Sequence, residues 1–342
     1  MEKQERASYL KIFLVVMNYW TMSISMVFAN KYLVGSRFSS LDLSLFVAFF
    51  QCIISVVFVL FYTRAGKMCY PDIHPISYSP SIGLSRNMVV LSGLFVGMLS
   101  FNNLCLKHVG VAFFQIARSM TLIFTVMFSA IILKKYSSWK AICCCLVVVG
   151  GFILGVDQEK VAGTLSVRGV MYGVTTSVFV ALVGITIKKA LDIVDKDSAR
   201  VTFYNNFNAA MLFTPLVIAS GELEAFWLSD KASDVYFWMA MVVSGILGFL
   251  IAWASALQIH YTSPVTHHVS NNAKSVVQTI MAVTIYQESK PWLWWVSNIM
   301  VMTGALAYAL VKMKEEKNQR QIEDNLAKGE HQSGSKVSNH VI

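Results

Sequence analysis

Charge is what this sequence has least of. Only 14% of its residues are Asp, Glu, Lys or Arg, against about 25% in a soluble domain. Hydrophobic residues make up 56% of the 342, and the mean hydropathy is +0.57. These values exclude a soluble globular domain and describe a polytopic membrane protein held in a lipid bilayer. Carboxylates are missing from the interior of every long apolar stretch, because Asp157 and Glu288 stand at the ends of theirs. Paired catalytic acids are therefore excluded, and so is a resident counter-ion for any cation at that depth. Cys52, Cys105, Cys143, Cys144 and Cys145 lie within apolar runs, and Cys69 lies in a loop. No spacing among them suits a tetrahedral metal site, so they read as small packing residues. There is no Walker loop and no nucleophile–base arrangement, which leaves no support for an enzyme, a pump, a metal or a cofactor. No cleavable leader is expected, since the first apolar run is long enough to span. No Asn-x-Ser/Thr sequon marks a glycosylated side.

What is present is a series of apolar runs of about 20 residues, the length that crosses a bilayer. Ten spans are expected at 12–34, 43–63, 88–106, 111–133, 139–157, 166–187, 201–219, 236–257, 264–286 and 292–312. The formal charge of +9 would point to nucleic acid in a soluble protein. Here the basic residues follow the loops instead, and no nucleic-acid partner is implied. Nineteen Lys and Arg fall on the side of the termini and seven on the other. By the positive-inside rule both termini are cytosolic, as an even number of spans requires.

Shifting the chain by 153 residues lays the region after Leu106 on the region after Ile259 without a gap. Lys134-Lys135-Tyr136-Ser137 then meets Gln287-Glu288-Ser289-Lys290, and Trp139 meets Trp292. This predicts an all-α fold of ten transmembrane helices in two inverted five-helix repeats, the plan of secondary transporters with a site near the midplane. The expected divisions are a cytosolic N-terminus (1–11), a first repeat (12–157), a luminal linker (158–165), a second repeat (166–312) and a disordered cytosolic tail (313–342). An Arg118 falls opposite Asn271 in this alignment, about one helical turn from Lys274.

Arg118 and Lys274 are the two basic residues placed deep in spans. A charge at the centre of a membrane helix costs roughly 2.5–3.5 kcal/mol on insertion scales. With no acid inside any span, these cations are expected to neutralise an anionic substrate, most simply a diphosphate, Arg as a planar fork and Lys as a point charge. Around Lys274 the ninth span carries Thr266, His267, His268, Ser270, Asn271 and Asn272, the polar wall of a ligand site. The two histidines lack a carboxylate or Cys to complete a metal or proton site, so hydrogen bonding to a substrate or a neighbouring helix is expected. Thr202-Phe203-Tyr204-Asn205-Asn206-Phe207-Asn208 opens the seventh span. Its carboxamides either read the polar edge of guanine or bond across helices as packing groups. Tyr19 is either an aromatic-belt residue or a nucleoside contact. Asn102 and Asn103 read as structural.

At these residues the chain resembles the nucleotide-sugar transporters of the drug/metabolite transporter superfamily, and more closely the animal Golgi GDP-fucose transporters. Ser23-Ile24-Ser25-Met26-Val27-Phe28, Phe101-Asn102-Asn103-Leu104-Cys105-Leu106-Lys107, Leu154-Gly155-Val156-Asp157-Gln158-Glu159 and Leu293-Trp294-Trp295-Val296-Ser297-Asn298 carry the resemblance. It implies a Golgi antiporter bringing GDP-fucose into the lumen against GMP, and it is compatible with a homodimer. It implies that Phe203-Tyr204-Asn205-Asn206 reads guanine, Tyr19 contacts the nucleoside, and Lys274 binds the phosphates, with Ser270, Asn271 and Asn272 facing the sugar. Related GDP-fucose transporters usually have Gly-Thr where Asn271-Asn272 stands. The departure leaves another GDP-sugar, such as GDP-mannose, or a broader range as the alternative, followed by a phosphorylated-sugar transporter and a non-transporting membrane receptor.

Overall fold

The structure, a computed structural model, describes the chain except residues 1, 35–41, 70–75, 133, 135, 262–263 and 339–342. At residues 2–10, 68–69, 252, 256, 259–260, 264–266, 268, 316 and 319–338 it describes the backbone alone. Ten helices of 22 residues or more account for most of the described chain. They are α1 (Glu2–Val34), α2 (Ser44–Cys69), α4 (Arg86–His108), α5 (Val111–Ile132), α6 (Trp139–Val161), α7 (Val167–Leu191), α8 (Ser198–Ala219), α10 (Val235–Tyr261), α11 (Pro264–Tyr286) and α12 (Trp292–Ser338). Two short helices, α3 (Pro80–Gly83) and α9 (Glu222–Trp227), sit in connections. The expected spans overlap the long helices, with Leu43 and Ser166 just ahead of α2 and α7 and residue 133 outside the described residues.

Local chemistry sets several of the boundaries. Ser138, Ser166 and Asp197 cap α6, α7 and α8 by accepting backbone N–H bonds. Pro264 occupies the first position of α11, where its missing N–H costs nothing. Eight helices among the described residues are long and apolar enough to cross a membrane. α8 and α11 fall outside that group, because their carboxamides, hydroxyls and Lys274 dilute the apolar run.

The 153-residue offset recurs in the backbone. α5 and α11 begin that far apart, and so do α6 and α12. Lys134 and Gln287, which are also 153 residues apart, both take a left-handed φ of 52° in the turn after the first member of each pair. α6 and α12 pack face to face with little between them. A Cβ on Gly151 would lie 3.0 Å from the Ser297 carbonyl oxygen, and one on Gly304 would lie 3.2 Å from that of Cys144. This is the close approach that small residues allow inside membranes.

α12 continues as helix to Ser338, through most of the segment expected as a tail after residue 312. The reason lies in residues 312–324, which are almost all strong helix formers with opposite charges at helical spacing. Lys312 pairs with Glu315 at 3.5 Å. The expected linker also shortens, since α6 runs on to Val161.

The end of the bundle away from the chain termini is tied by polar groups. Lys31 donates to the carbonyls of Leu106 at 2.6 Å and Val109 at 2.7 Å. Lys107 pairs with Asp42 at 2.9 Å, and Glu222 accepts from the Phe46 amide at 2.7 Å. Deepest is Glu159, at the end of α6. It accepts from Lys290 at 2.7 Å and from the Trp294 indole at 2.8 Å, and also from the Thr164 hydroxyl. Lys290 reaches Glu288 as well, at 3.1 Å. The side chains of Lys290 and Glu159 are only 3% and 4% exposed.

Removing one member of such a pair strands the other, at about 3–5 kcal/mol. Lys290→Met should therefore lower the thermal unfolding midpoint of the detergent-purified protein sharply. The double variant Glu159→Gln/Lys290→Met, which keeps an acceptor for Trp294, should recover part of the loss. Equal midpoints for the single and double variants would mean the pair is not holding this end.

Candidate functional site

The site is built on one face of α11. His267, Asn271, Lys274 and Gln278 recur at the three- and four-residue spacing that stacks side chains along a helix. All but Asn271, which is half-buried, are buried. Facing them across the bundle is α1, which meets α11 through three side-chain hydrogen bonds around this face, while further along Phe28 stacks on Tyr286 with ring centres 6.1 Å apart. The Tyr19 hydroxyl donates to Asn271 Oδ1 at 2.7 Å. The Trp20 indole donates to Ser270 Oγ at 2.7 Å. Lys274 Nζ donates to Ser23 Oγ at 2.6 Å and lies 5.2 Å from the centre of the Tyr19 ring. These contacts join residues about 250 positions apart in sequence, so only the assembled fold could bring them together.

The end of α10 supplies a second tier. Gln258 Oε1 lies 3.0 Å from His267 Nδ1, and Ser255 Oγ lies 3.2 Å from His267 Nε2. Asn271 Nδ2 lies 3.1 Å from the same Nε2. The His267 and Tyr19 rings are 4.9 Å apart.

α5 contributes Arg118. The sequence lies on this helix so that residues 111–117 are buried and Arg118 emerges exposed one position later. It is close enough to Tyr19 and Lys274 to interact with both through space. Among the described residues no hydrogen-bond acceptor or carboxylate engages its guanidinium, and no carboxylate pairs with Lys274. Lys274 is buried and held by a hydroxyl and an aromatic face, and the exposed Arg118 lies within electrostatic range of it. Their like charges repel, and an entering dianion would relieve that repulsion.

The residues expected from sequence divide into two groups. Tyr19, Arg118, His267, Ser270, Asn271 and Lys274 come together, and Asn272 is the half-buried neighbour of Asn271. The Thr266 side chain lies outside the described residues. Tyr204, Asn205 and Asn206 form a separate station on α8, and among the described residues no hydrogen bond or ring contact links them to the α1–α11 group. Tyr204 is 1% exposed. Its hydroxyl donates to the Ser77 carbonyl at 3.1 Å and accepts from the Ser79 amide at 3.1 Å. It therefore anchors the segment between α2 and α3. Asn206 Nδ2 returns to the Thr202 carbonyl of its own helix at 2.9 Å. Asn205 differs: it is 8% exposed, and its buried Oδ1 has no hydrogen-bond partner among the described residues.

Sequence reasoning missed Trp20, Ser23, Gln258 and Gln278. Ser23 and Trp20 sit in an apolar run whose pattern gives no hint of a partner. Gln278 carried a usable signal, a glutamine one turn beyond Lys274 on the same face. It is 1% exposed, and neither end of its amide has a partner among the described residues. Asn103 is structural as expected, donating to the Ser44 carbonyl at 3.0 Å.

Comparison with known proteins bears on this geometry. The sequence profile of the Triose-phosphate Transporter family matches residues 10–309. A Nematostella vectensis protein named GDP-fucose transporter 1 is 42% identical, covering 94% of this chain and 95% of its own. A Mus musculus protein of the same name is 44% identical over 89% and 84%. A Drosophila melanogaster protein named GDP-fucose transporter, Golgi is 39% identical over 92% and 93%. A solved crystal structure with 14% identity superposes with a TM-score of 0.57, covering 90% of this chain and 99% of the other. At that identity the likeness concerns the fold alone.

Tyr204→Phe tests the anchoring role. It removes the bonds to the Ser79 amide and the Ser77 carbonyl, a loss of about 0.5–1.5 kcal/mol each, since water can reach both groups. The expected result is a lower unfolding midpoint with ligand affinity within a factor of about two. Unchanged stability with lost affinity would place the hydroxyl in the ligand site instead.

Proposed function

The chain belongs to the Triose-phosphate Transporter family, and from that premise we propose that it carries GDP-fucose into the Golgi lumen in exchange for GMP, by alternating access and without covalent chemistry. The observation that carries the reading is the pair of cations, Arg118 and Lys274, with no carboxylate between them among the described residues. Relatives at 39–44% identity named for GDP-fucose transport support the substrate. The two cations supply the charge its diphosphate needs.

Each part of the ligand has a counterpart on the chain. Asn205 offers an unpartnered buried acceptor to the N1–H or N2–H of guanine, and Asn206 lies beside it. Tyr204 holds that stretch of α8 in place. Tyr19 packs against the nucleoside, while Lys274 exchanges its bond to Ser23 for phosphate oxygens and Arg118 adds a fork on the same group. Ser270, Asn271 and Asn272 meet the sugar, with His267 beside them and Thr266 at the start of the same helix. Guanine and diphosphate are separated by the ribose, so the α8 station and the α1–α11 group need not touch.

The ten long helices are read as two inverted repeats related by the 153-residue offset, with both termini in the cytosol by the Lys and Arg balance. Exchange follows from the site. An empty cavity bearing two positive charges is costly to pass through the occluded state, and either nucleotide lowers that cost by supplying the missing charge. A second reading, transport of another GDP-sugar, draws on Asn271-Asn272 at the sugar position.

The test is counterflow in proteoliposomes preloaded with GMP. Labelled GDP-fucose should accumulate, and external GMP should compete where UMP, CMP and AMP do not. Lys274→Ala should cut the rate to less than about a tenth, as expected when a charge-assisted bond is lost in a water-poor site. Wild-type rates in that variant would refute the phosphate assignment, and preference for a different GDP-sugar in the same assay would select the second reading.

A further inference from the structure

We infer that His267 is a positioning residue for sugar recognition: it fixes which way the Asn271 carboxamide faces, and so which hydrogen-bonding groups the cavity shows to the sugar. The inference rests on the GDP-sugar reading above.

A carboxamide is nearly symmetric in shape but opposite in chemistry at its two ends, so a half-turn exchanges a donor for an acceptor. At Asn271 the neighbours remove that freedom. The Tyr19 hydroxyl donates to Oδ1 at 2.7 Å, which leaves Nδ2 facing His267 Nε2 at 3.1 Å. Nδ2 carries only hydrogens, so Nε2 must be the acceptor, and in a neutral ring the proton then belongs on Nδ1. That position is matched: Nδ1 lies 3.0 Å from Gln258 Oε1, an acceptor. Ser255 Oγ also lies 3.2 Å from Nε2, but that nitrogen has a single lone pair, which the Asn271 N–H takes up. With the proton on Nδ1 the bond directions run unbroken from Asn271 through His267 to Gln258.

What is left over is the part a ligand can use. Asn271 keeps one N–H and one lone pair uncommitted by these bonds, a donor beside an acceptor. That pattern fits two neighbouring hydroxyls of a hexose, each of which can give and receive. GMP has no hexose, so it should be indifferent to the orientation of this amide. Both ring nitrogens of His267 are engaged by the protein, which is why its effect on the sugar passes through Asn271 and not through direct contact.

The experiment compares GDP-fucose uptake with GMP self-exchange in proteoliposomes for the wild type, His267→Ala, His267→Gln and Gln258→Leu. In His267→Ala the KM for GDP-fucose should rise about tenfold, as for a lost or misdirected hydrogen bond, with GMP self-exchange changed less than about threefold. His267→Gln places a carbonyl oxygen near the Nε2 position and should restore most of the GDP-fucose affinity. Gln258→Leu, which leaves α11 untouched, should show a smaller loss confined to GDP-fucose. Parallel losses for GDP-fucose and GMP would make His267 merely structural, and no loss for either would make it idle; both overturn the inference. If His267→Ala does not fold, the glutamine and Gln258 variants decide on the same split. A wild type that exchanges neither nucleotide would sink the parent reading, and this one with it.

Discussion

Two positive side chains that no carboxylate among the described residues neutralises set the terms for the rest of the structure. Arg118 and Lys274 lie within electrostatic reach of each other, and repulsion between them must be met by something. A hydroxyl from Ser23 and the face of Tyr19 meet part of it. Neither carries a charge, so the remainder is left for a ligand. Contrast the other deep lysine, Lys290, which is clasped by Glu159 and Glu288. The same residue type is thus paired with carboxylates at the end of the bundle and left, among the described residues, without one in α11. That difference separates a structural cation from a functional one.

The polar load of the site falls on α11, and the surrounding helices are arranged to bear it. Its apolar positions continue the bundle, while His267, Asn271, Lys274 and Gln278 turn to one side. α1 answers with hydroxyl and indole groups and α10 with Ser255 and Gln258. Since α1 and α11 belong to opposite halves of the sequence, their three side-chain bonds also join the halves across the middle of the bundle. A ligand that takes over the bonds of Lys274 and Asn271 would loosen that junction, which couples occupancy to rearrangement.

Much of this was legible from the sequence, for identifiable reasons. Helix positions followed from apolar runs of membrane length punctuated by Pro and Ser, and the offset between halves followed from turns flanked by Trp139 and Trp292. Arg118 and Lys274 stood out because a charge in an apolar run is rare and expensive. What could not be read is pairing across distance. Nothing local marks Ser23 as the acceptor for Lys274, or Gln258 as the partner of His267. Those matches depend on how α1, α10 and α11 rotate about their axes once packed. Tyr204 shows the same limit from the other side, since its neighbours in the sequence suggested a ligand contact while the fold gives its hydroxyl to residues 77–79.

The central claim, that the unpaired cations exist to receive phosphate, is tested most directly by ligand-induced stabilisation of the purified protein. GMP and guanosine share the base and ribose and differ only in the phosphate. GMP should raise the unfolding midpoint of the wild type while guanosine does not, and Arg118→Gln/Lys274→Gln should erase the GMP effect. Equal stabilisation by GMP and guanosine, or a GMP effect that survives in the double variant, would contradict the account.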